Sequence, residues 1–417
     1  MKHATRMSDR AGPASHLTPR LRIGVDATCW ANRRGYGRFT REVLRTMIPM
    51  APESTFVCLL DARAADTFDA HGPNVEPVVV NQRVSPTEAA AAHGHRSPFD
   101  MLRLTRATAR AGVDVFFSPS LYTFYPLPLR LPAVVTVHDV IADRHPRLTL
   151  PSSRARLFWR LKRMLALRQA TLVLTVSAYA EQTIAATLGV APDRIRVAVE
   201  APSPIFRPTE DAREILGEAG RLGLPADARW CTYVGGFGPH KNVEALVRAH
   251  AAVVRRAGAS APYLLLIGAV EGEVFYEAQA RIRSAIAACG TEAFVRWTGF
   301  LQDDQIRHLH SGAIALLLPS REEGFGLPAV EAAACGAPVI VTSASPLGEL
   351  LEDGAIVVDP DDEAALEAAA ERLFVDEPAR RRIGARALEC ASRLTWTDTA
   401  TAALGAIREA ALRGRGR

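Results

Sequence analysis

Short apolar runs, each cut off by glycine, proline, aspartate or asparagine, recur at 21–27, 56–61, 77–81, 113–119, 133–138 and 172–176. They are rich in leucine and β-branched residues and have the length of buried strands rather than helices. Between them, apolar positions fall at helical spacing, as at 39–48 and 154–169. Strands alternating with amphipathic helices predict βαβ units and a parallel sheet covered on both faces. The stretch 199–208, VEAPSPIFRP, then places three prolines in ten positions. Proline cannot continue a helix or donate to a sheet, so this is the predicted crossover between domains. The alternation restarts beyond it. Strands are predicted at 230–234, 263–267, 294–297, 313–319, 338–341 and 355–358, with helices over 243–255 and 275–288. Two successive doubly wound α/β domains follow, Rossmann-like and facing each other across a cleft. Ligands of such folds bind beyond the C-terminal ends of the strands.

Composition agrees with this division. The 417 residues suit two or three domains, and 48% apolar with 23% charged residues is ordinary for a globular chain. Residues 1–20 are polar, interrupted by Pro and Gly, and read as a disordered tail without a signal-peptide core. The expected plan is a first domain over 21–200, a linker over 201–210, a second domain over 211–395 and a closing helix over 396–417 packed back on the first domain. Six cysteines without a C-x-x-C pair argue against a zinc knuckle or redox motif and fit a reducing, cytoplasmic setting. No apolar run is long enough for a membrane span. Charge is uneven: residues 1–208 carry 28 Lys+Arg against 16 Asp+Glu, and the remainder 22 against 29. The first half is therefore suited to an anionic neighbour, unless the excess is only a solvated surface.

The chemistry concentrates in SREEGFGLPAVEAAACGAPVIV, 320–341. Glu323 and Glu331 stand eight apart around a Gly324-Phe325-Gly326 turn that follows a strand and opens a helix. Glycines let backbone N–H groups approach a ligand, and a helix N-terminus attracts an anion. A second glycine turn, Gly235-Gly236-Phe237-Gly238, precedes His240 and Lys241 at a helix start. That pattern suits a diphosphate. Taken alone, each is also readable as an ordinary strand–turn–helix junction with solvated charges.

The glutamate motif EEGFGLPAVE resembles the signature of family-four retaining glycosyltransferases of the GT-B fold. The resemblance extends in order through DATCWANRRGYGRFTREVL (26–44), VVTVHDV (134–140), the segment 175–208, YVGGFGPHKN (233–242) and VDPDD (358–362). It implies transfer of a hexose, mannose before others, from a nucleoside-diphosphate sugar such as GDP-mannose or UDP-glucose to a glycan or lipid-linked hydroxyl, as in bacterial surface polysaccharide synthesis. By resemblance, His138 contacts the transferred sugar and Asp139 the acceptor hydroxyl. Lys241 neutralises the leaving diphosphate, Glu323 holds sugar hydroxyls and Glu331 the ribose. Gly35 and Gly37 form a loop closing over the diphosphate with Arg38 nearby. The amides of Gly324, Phe325 and Gly326 hold sugar or phosphate oxygens, and Phe300 and Leu301 lie at the base. Many relatives carry an arginine where this chain has Gly236, and a protonated His240 is the expected substitute. The implied mechanism needs no metal and no cofactor, because helix termini and Lys241 supply fixed positive charge. Asp303-Asp304 and Asp361-Asp362 read as helix starts.

The segment 152–170 holds six Arg and Lys residues and no acid, interleaved with Phe158, Trp159, Leu161, Met164 and Leu165. Such a helix either lies peripherally on an anionic membrane, here the inner face of the plasma membrane, or buries its apolar face as crossover helices do. No groove-reading motif accompanies it, so nucleic acid is not expected. Other readings of the whole chain are a GT-B phosphorylase or sugar-nucleotide epimerase, a glycosidase, or a non-catalytic nucleotide-sugar sensor.

Overall fold

The computed structural model describes residues 20–84, 97–150, 152–269 and 276–415. The first sheet contains β1 (Arg22–Asp26), β2 (Thr55–Leu60), β3 (Val75–Val79), β4 (Val115–Ser118), β5 (Ala133–Thr136), β6 (Leu172–Thr175) and β7 (Ile195–Val197). Their spatial order is β3-β2-β1-β4-β5-β6-β7, and every pairing is parallel. The second sheet contains β8 (Trp230–Val234), β9 (Tyr263–Ile267), β10 (Val295–Gly299), β11 (Leu316–Leu318), β12 (Val339–Thr342) and β13 (Ala355–Val358). It runs β10-β9-β8-β11-β12-β13, again parallel throughout. In each sheet the order reverses beside the first strand, between β1 and β4 and between β8 and β11. Helices leave on opposite faces there, which opens a crevice beyond the strand ends. The two crevices face each other.

Covering on both faces explains the sequence of the central strands. VFFS, AVVT, LVLT and VIVT are buried at every position. Strand β7 was not anticipated. It is three residues long, at an edge, inside a segment read as the approach to the linker. Its Arg196 faces outward and is held by Glu409 at 2.6 Å. A half-exposed edge strand of this length carries too little apolar pattern to be separated from a loop. The tail at 1–19 lies outside the described residues, as does residue 275, the expected start of the helix that runs over Tyr276–Cys289.

The final helix, Trp396–Arg415, crosses from the second domain and packs on the first. Ala400, Ala403, Leu404, Ile407 and Ala411 are buried along it. The Trp396 indole donates to the Pro202 carbonyl at 3.2 Å, and Arg408 meets Glu53 at 2.9 Å. Two chain crossings therefore join the domains: the proline-rich segment and this helix. The cleft between them holds the motif residues.

Candidate active site

Beyond β8, the Tyr233 hydroxyl donates to the Gly236 carbonyl, and the Phe237 ring is fully buried against Trp297 with centroids 4.8 Å apart. This fixes the glycine loop. A single helical turn over Pro239–Lys241 follows, and Asn242, in a left-handed conformation at φ 55°, starts the helix Val243–Ala257. The loop delivers the Lys241 ammonium to 2.7 Å from Glu323 Oε1. Ser320 donates to the same carboxylate oxygen at 2.6 Å. Glu323 is 8% exposed. A cation and a carboxylate are thus preassembled in a nearly dry place, where a ligand offering a phosphate to one and hydroxyls to the other can replace their mutual pairing.

Gly236 brings no positive charge to this loop. His240 does not replace it. Burial, then the neighbouring charges of Lys241, His145 and Arg34, depress its pKa to about 3. The imidazole is neutral at ordinary pH, contrary to the expectation that it serves as the second cation.

The turn after β11 brings the domains into contact. A Cβ on Gly324 would lie 2.1 Å from the His138 carbonyl oxygen. Ser177, the cap of the helix Ala178–Leu188, donates its hydroxyl to the Gly324 carbonyl at 2.6 Å. Gly326 has φ 97° and opens the helix Leu327–Ala334, so its N-terminus points out of the turn. Phe325 is buried behind it. Gly35 lies across the cleft, with Leu327 the nearest side chain to its Cβ position at 3.9 Å. Gly37 has no room for a Cβ, which would sit 2.1 Å from the Asn32 carbonyl.

His138 and Asp139 follow β5 at the floor of the cleft. The Nε2 of His138 is 2.9 Å from the Pro119 carbonyl, and its Nδ1 is 3.4 Å from the Glu200 carboxylate. The ring's hydrogen-bonding capacity is turned inward. Burial works against the charged ring, but Glu200 outweighs it and raises the His138 pKa. Asp139 accepts from the Ile141 N–H at 2.9 Å, and burial pushes its carboxyl upward.

Glu331, 4% exposed on the helix Leu327–Ala334, meets Arg38 of the first domain at 3.1 Å. The same guanidinium bonds Asp303 at 2.6 Å. Burial raises the Glu331 carboxyl to about 7 in spite of Arg38. Leu301, expected beside a nucleotide base, is 7% exposed and belongs to the core. Only Phe300 presents a ring, with Arg33 of the opposite domain 4.5 Å from its centroid. The β10 strand turns at Gly299, which sends one of the two side chains inward.

Family models match both halves of the chain: Glycosyltransferase Family 4 over 33–198 and Glycosyl transferases group 1 over 218–389. O-antigen chain mannosyltransferase B of Escherichia coli is 30% identical over 298 residues, covering 70% of this chain and 74% of its own. The chain belongs to glycosyltransferase family 4. The GT-B fold is shared with sucrose-phosphate synthase from Thermosynechococcus elongatus at TM-score 0.73 and 20% identity, over 94% of this chain and 99% of that one. Anabaena HepE in complex with UDP-glucose aligns at TM-score 0.72 and 18% identity, over 93% and 100%.

Reading the motifs of this glycosyltransferase missed three participants. Glu200 closes the first domain within the proline-rich stretch 199–208 and carries no motif. Asp303 was taken only as a helix start; it occupies the first turn, and it also receives Arg38. Glu322, 2% exposed, was passed over for Glu323, yet it binds Arg144 at 2.8 Å and His145 at 3.1 Å across the cleft. A second consecutive glutamate inside a buried motif was the available signal, since charge is not buried without a partner.

The Glu331 carboxyl gives a prediction with a definite sign. Its folded pKa lies above the ordinary value, so the folded glycosyltransferase binds a proton that the unfolded chain releases between about pH 4.5 and 7. That contribution to stability is present at the acidic end and is lost as pH rises through 7. Glu331→Gln removes it. The difference in unfolding free energy between wild type and variant, followed by urea titration from pH 5 to pH 8, is expected to shift in favour of the variant as pH rises. A difference independent of pH would refute the assignment.

Proposed function

We propose that this glycosyltransferase moves a hexose, mannose before others, from a nucleoside-diphosphate sugar to a hydroxyl of a glycan or lipid-linked acceptor, with retention at the anomeric carbon. The observation that carries the donor site is the Lys241–Glu323 pair at the mouth of two glycine turns. A diphosphate sugar satisfies both members at once: oxygens to the ammonium, hydroxyls to the carboxylate. The resemblance to a mannosyltransferase of O-antigen chains supports mannose and surface polysaccharide synthesis. UDP-glucose, the molecule bound to the HepE relative in fold, is the alternative donor.

Departure of the diphosphate builds negative charge beside Lys241, the amides at 324–326 and the N-terminus of Leu327–Ala334. Fixed dipoles and one ammonium in a closed cleft stabilise that charge without reorganising. In this scheme no metal is required. Glu323 positions the sugar, and Asp139, at the first-domain side, faces the incoming hydroxyl. Gly236 favours one competing reading, a protein that binds the nucleotide sugar without turning it over.

The acceptor side includes a membrane surface. The helix Ser153–Gln169 buries Trp159 and Ala166 but exposes Leu157, Phe158, Leu161, Met164 and Leu165. Arg154, Arg160 and Arg168 are exposed beside them. The reading in which this apolar face is core does not hold for those five side chains. An apolar stripe flanked by arginines matches the interface of an anionic bilayer, and a lipid-linked acceptor would be presented there. Among the described residues, no helix is long and apolar enough to cross a membrane.

Two measurements test these readings. Thermal shift and turnover with GDP-, UDP-, ADP- and dTDP-sugars, without added metal, should show one nucleotide family stabilising the protein. Saturation at a hundred times the dissociation constant adds about 2.7 kcal/mol. Lys241→Ala and Glu323→Ala are each expected to lower turnover about a hundredfold or more, the scale of one lost transition-state contact. Binding without turnover would move the sensor reading ahead, and near-native rates in both variants would remove the site assignment. Separately, the protein should co-sediment with vesicles containing anionic lipid. Phe158→Ser with Leu161→Ser should weaken that by about tenfold or more. Equal recovery on neutral and anionic vesicles would sink the membrane reading.

A further inference from the structure

Glu200 stands where the first domain ends, three residues after β7 and at the start of the proline-rich crossover. It is 3% exposed. A carboxylate so placed has lost most of its hydration and needs a compensating charge or donors. The partner that the structure places within ion-pair distance is the Nδ1 of His138, at 3.4 Å. The opposite ring nitrogen faces the Pro119 carbonyl at 2.9 Å. A carbonyl only accepts, so Nε2 carries a hydrogen. A carboxylate also only accepts when ionised, so Nδ1 carries one as well. With the carboxylate ionised, acceptors face both nitrogens, the arrangement that an imidazolium satisfies. The Phe39 ring stands edge-on to it, with centroids 4.9 Å apart, and keeps the plane fixed.

A buried ion pair is a poor device for stability. Its desolvation cost is comparable to the attraction it gains, and two well-packed apolar side chains serve as well. This one sits at the end of a central strand, at the floor of the cleft, with the His138 main chain pressed against the Gly324 turn. That is where a fixed positive charge has chemical use, because the glycine loop of the second domain offers Gly236 and the neutral His240 sits beside Lys241.

We propose that Glu200 is a positioning residue for sugar transfer: it holds His138 as a fixed cation at the floor of the cleft, adding to Lys241 the positive potential that Gly236 leaves out of the phosphate loop. Other charged groups bear on this pair. Asp139, next along the chain, acts on the ring in the same direction as Glu200. From the second domain, Lys241 and Glu323 act on Asp139, and Glu331 feels Glu200. From the first helix, Phe39 contributes packing and no charge. The proposal rests on the glycosyltransferase reading above for its kinetic consequence, but the charge state of His138 is separately measurable.

The test uses the full chain with Glu200→Gln, Glu200→Asp, His138→Ala and the double variant Glu200→Gln/His138→Ala. Circular dichroism first confirms that each folds. With the donor identified by the screen above, Glu200→Gln should lower kcat about tenfold or more, with a smaller change in donor KM. The alkaline limb of its kcat profile should move to lower pH, and Glu200→Asp should restore part of the loss. In the His138→Ala background, Glu200→Gln should cost little more, since it acts through the ring. Additive losses, or an unmoved pH profile, would overturn the proposal.

The second readout needs no turnover. A histidine whose folded pKa exceeds the unfolded value of about 6.5 stabilises the fold below that pH, and the stabilisation is lost as pH rises through the folded pKa. Measured in the Glu331→Gln background, which removes the buried carboxyl that also titrates near 7, that loss should be seen, and it should be absent when Glu200→Gln is added. If it is seen but no nucleotide sugar is consumed, the pair stands and the catalytic reading falls. If it is missing from the Glu331→Gln background, His138 is not held charged and the proposal falls.

Discussion

Everything in the cleft depends on how closely two backbones can approach at Gly324. Its carbonyl receives the Ser177 hydroxyl from the first domain, and its α-carbon faces the His138 carbonyl with no room for a methyl group. Any side chain there would hold the domains apart. The second-domain carboxylates would then be separated from Arg38, Arg144 and His145, and water would enter the space between. Electrostatic groups in such a site act strongly only when water is excluded. The glycine is thus a condition for the chemistry of residues it does not resemble. Its role is steric, and the glutamates flanking it are useful because of it.

The charges that meet across this contact are mostly paired with each other. Within the second domain Lys241 holds Glu323, while across the contact Arg38 holds Glu331 and Asp303, and Glu322 holds Arg144 and His145. Pairing lets carboxylates be buried before any ligand arrives. It also means that a donor enters by exchange: each new hydrogen bond replaces an existing one. In the proposed reaction, binding energy from such an exchange is modest, which leaves the larger gain for the moment when charge develops on the leaving diphosphate. Glu331 is the least settled of these groups, because burial lifts its carboxyl to about 7 even with Arg38 beside it.

The strands and their alternation were legible because buried parallel strands leave uninterrupted apolar runs, as in β4, β5, β6 and β12. The glycine turns were legible because glycine is required there, Gly235 and Gly326 by positive φ and Gly324 by the close His138 carbonyl, and Lys241 because it follows one of them at a helix start. What stayed hidden involves pairs distant in sequence. Glu200 and His138 are 62 positions apart, and neither residue's surroundings announce the other. His240 looked like a cation because it follows a phosphate-type loop; only its burial beside Lys241 shows that it is neutral. Phe300 and Leu301 were expected at the base by resemblance, but adjacent side chains at a strand end point to opposite sides, and Leu301 turns into the core.

The helix Ser153–Gln169 shows how an amphipathic pattern can mislead in the other direction. Its sequence contains enough apolar residues for a core face, and crossover helices ordinarily use theirs that way. Here the domain takes Trp159 and Ala166, and Trp159 is held by Asp143, which also binds Arg163. The indole and this salt bridge anchor the helix with its other sector outside, where exposed arginines flank the apolar side chains. Leu157, Phe158, Leu161, Met164 and Leu165 repeat at three- and four-residue intervals on that outer sector. Scattered exposed leucines require no explanation, but a stripe of five on one helix does. The sequence alone could not assign the stripe to core or surface, because both faces of this helix contain residues fit for burial. The deciding fact is which of its side chains the fold covers: Trp159 and Ala166 are buried, and the five of the stripe are not. The helix gives an indole, a methyl and part of Leu167 to the core, and the five side chains of the stripe stay exposed, the surface on which the proposed membrane contact rests.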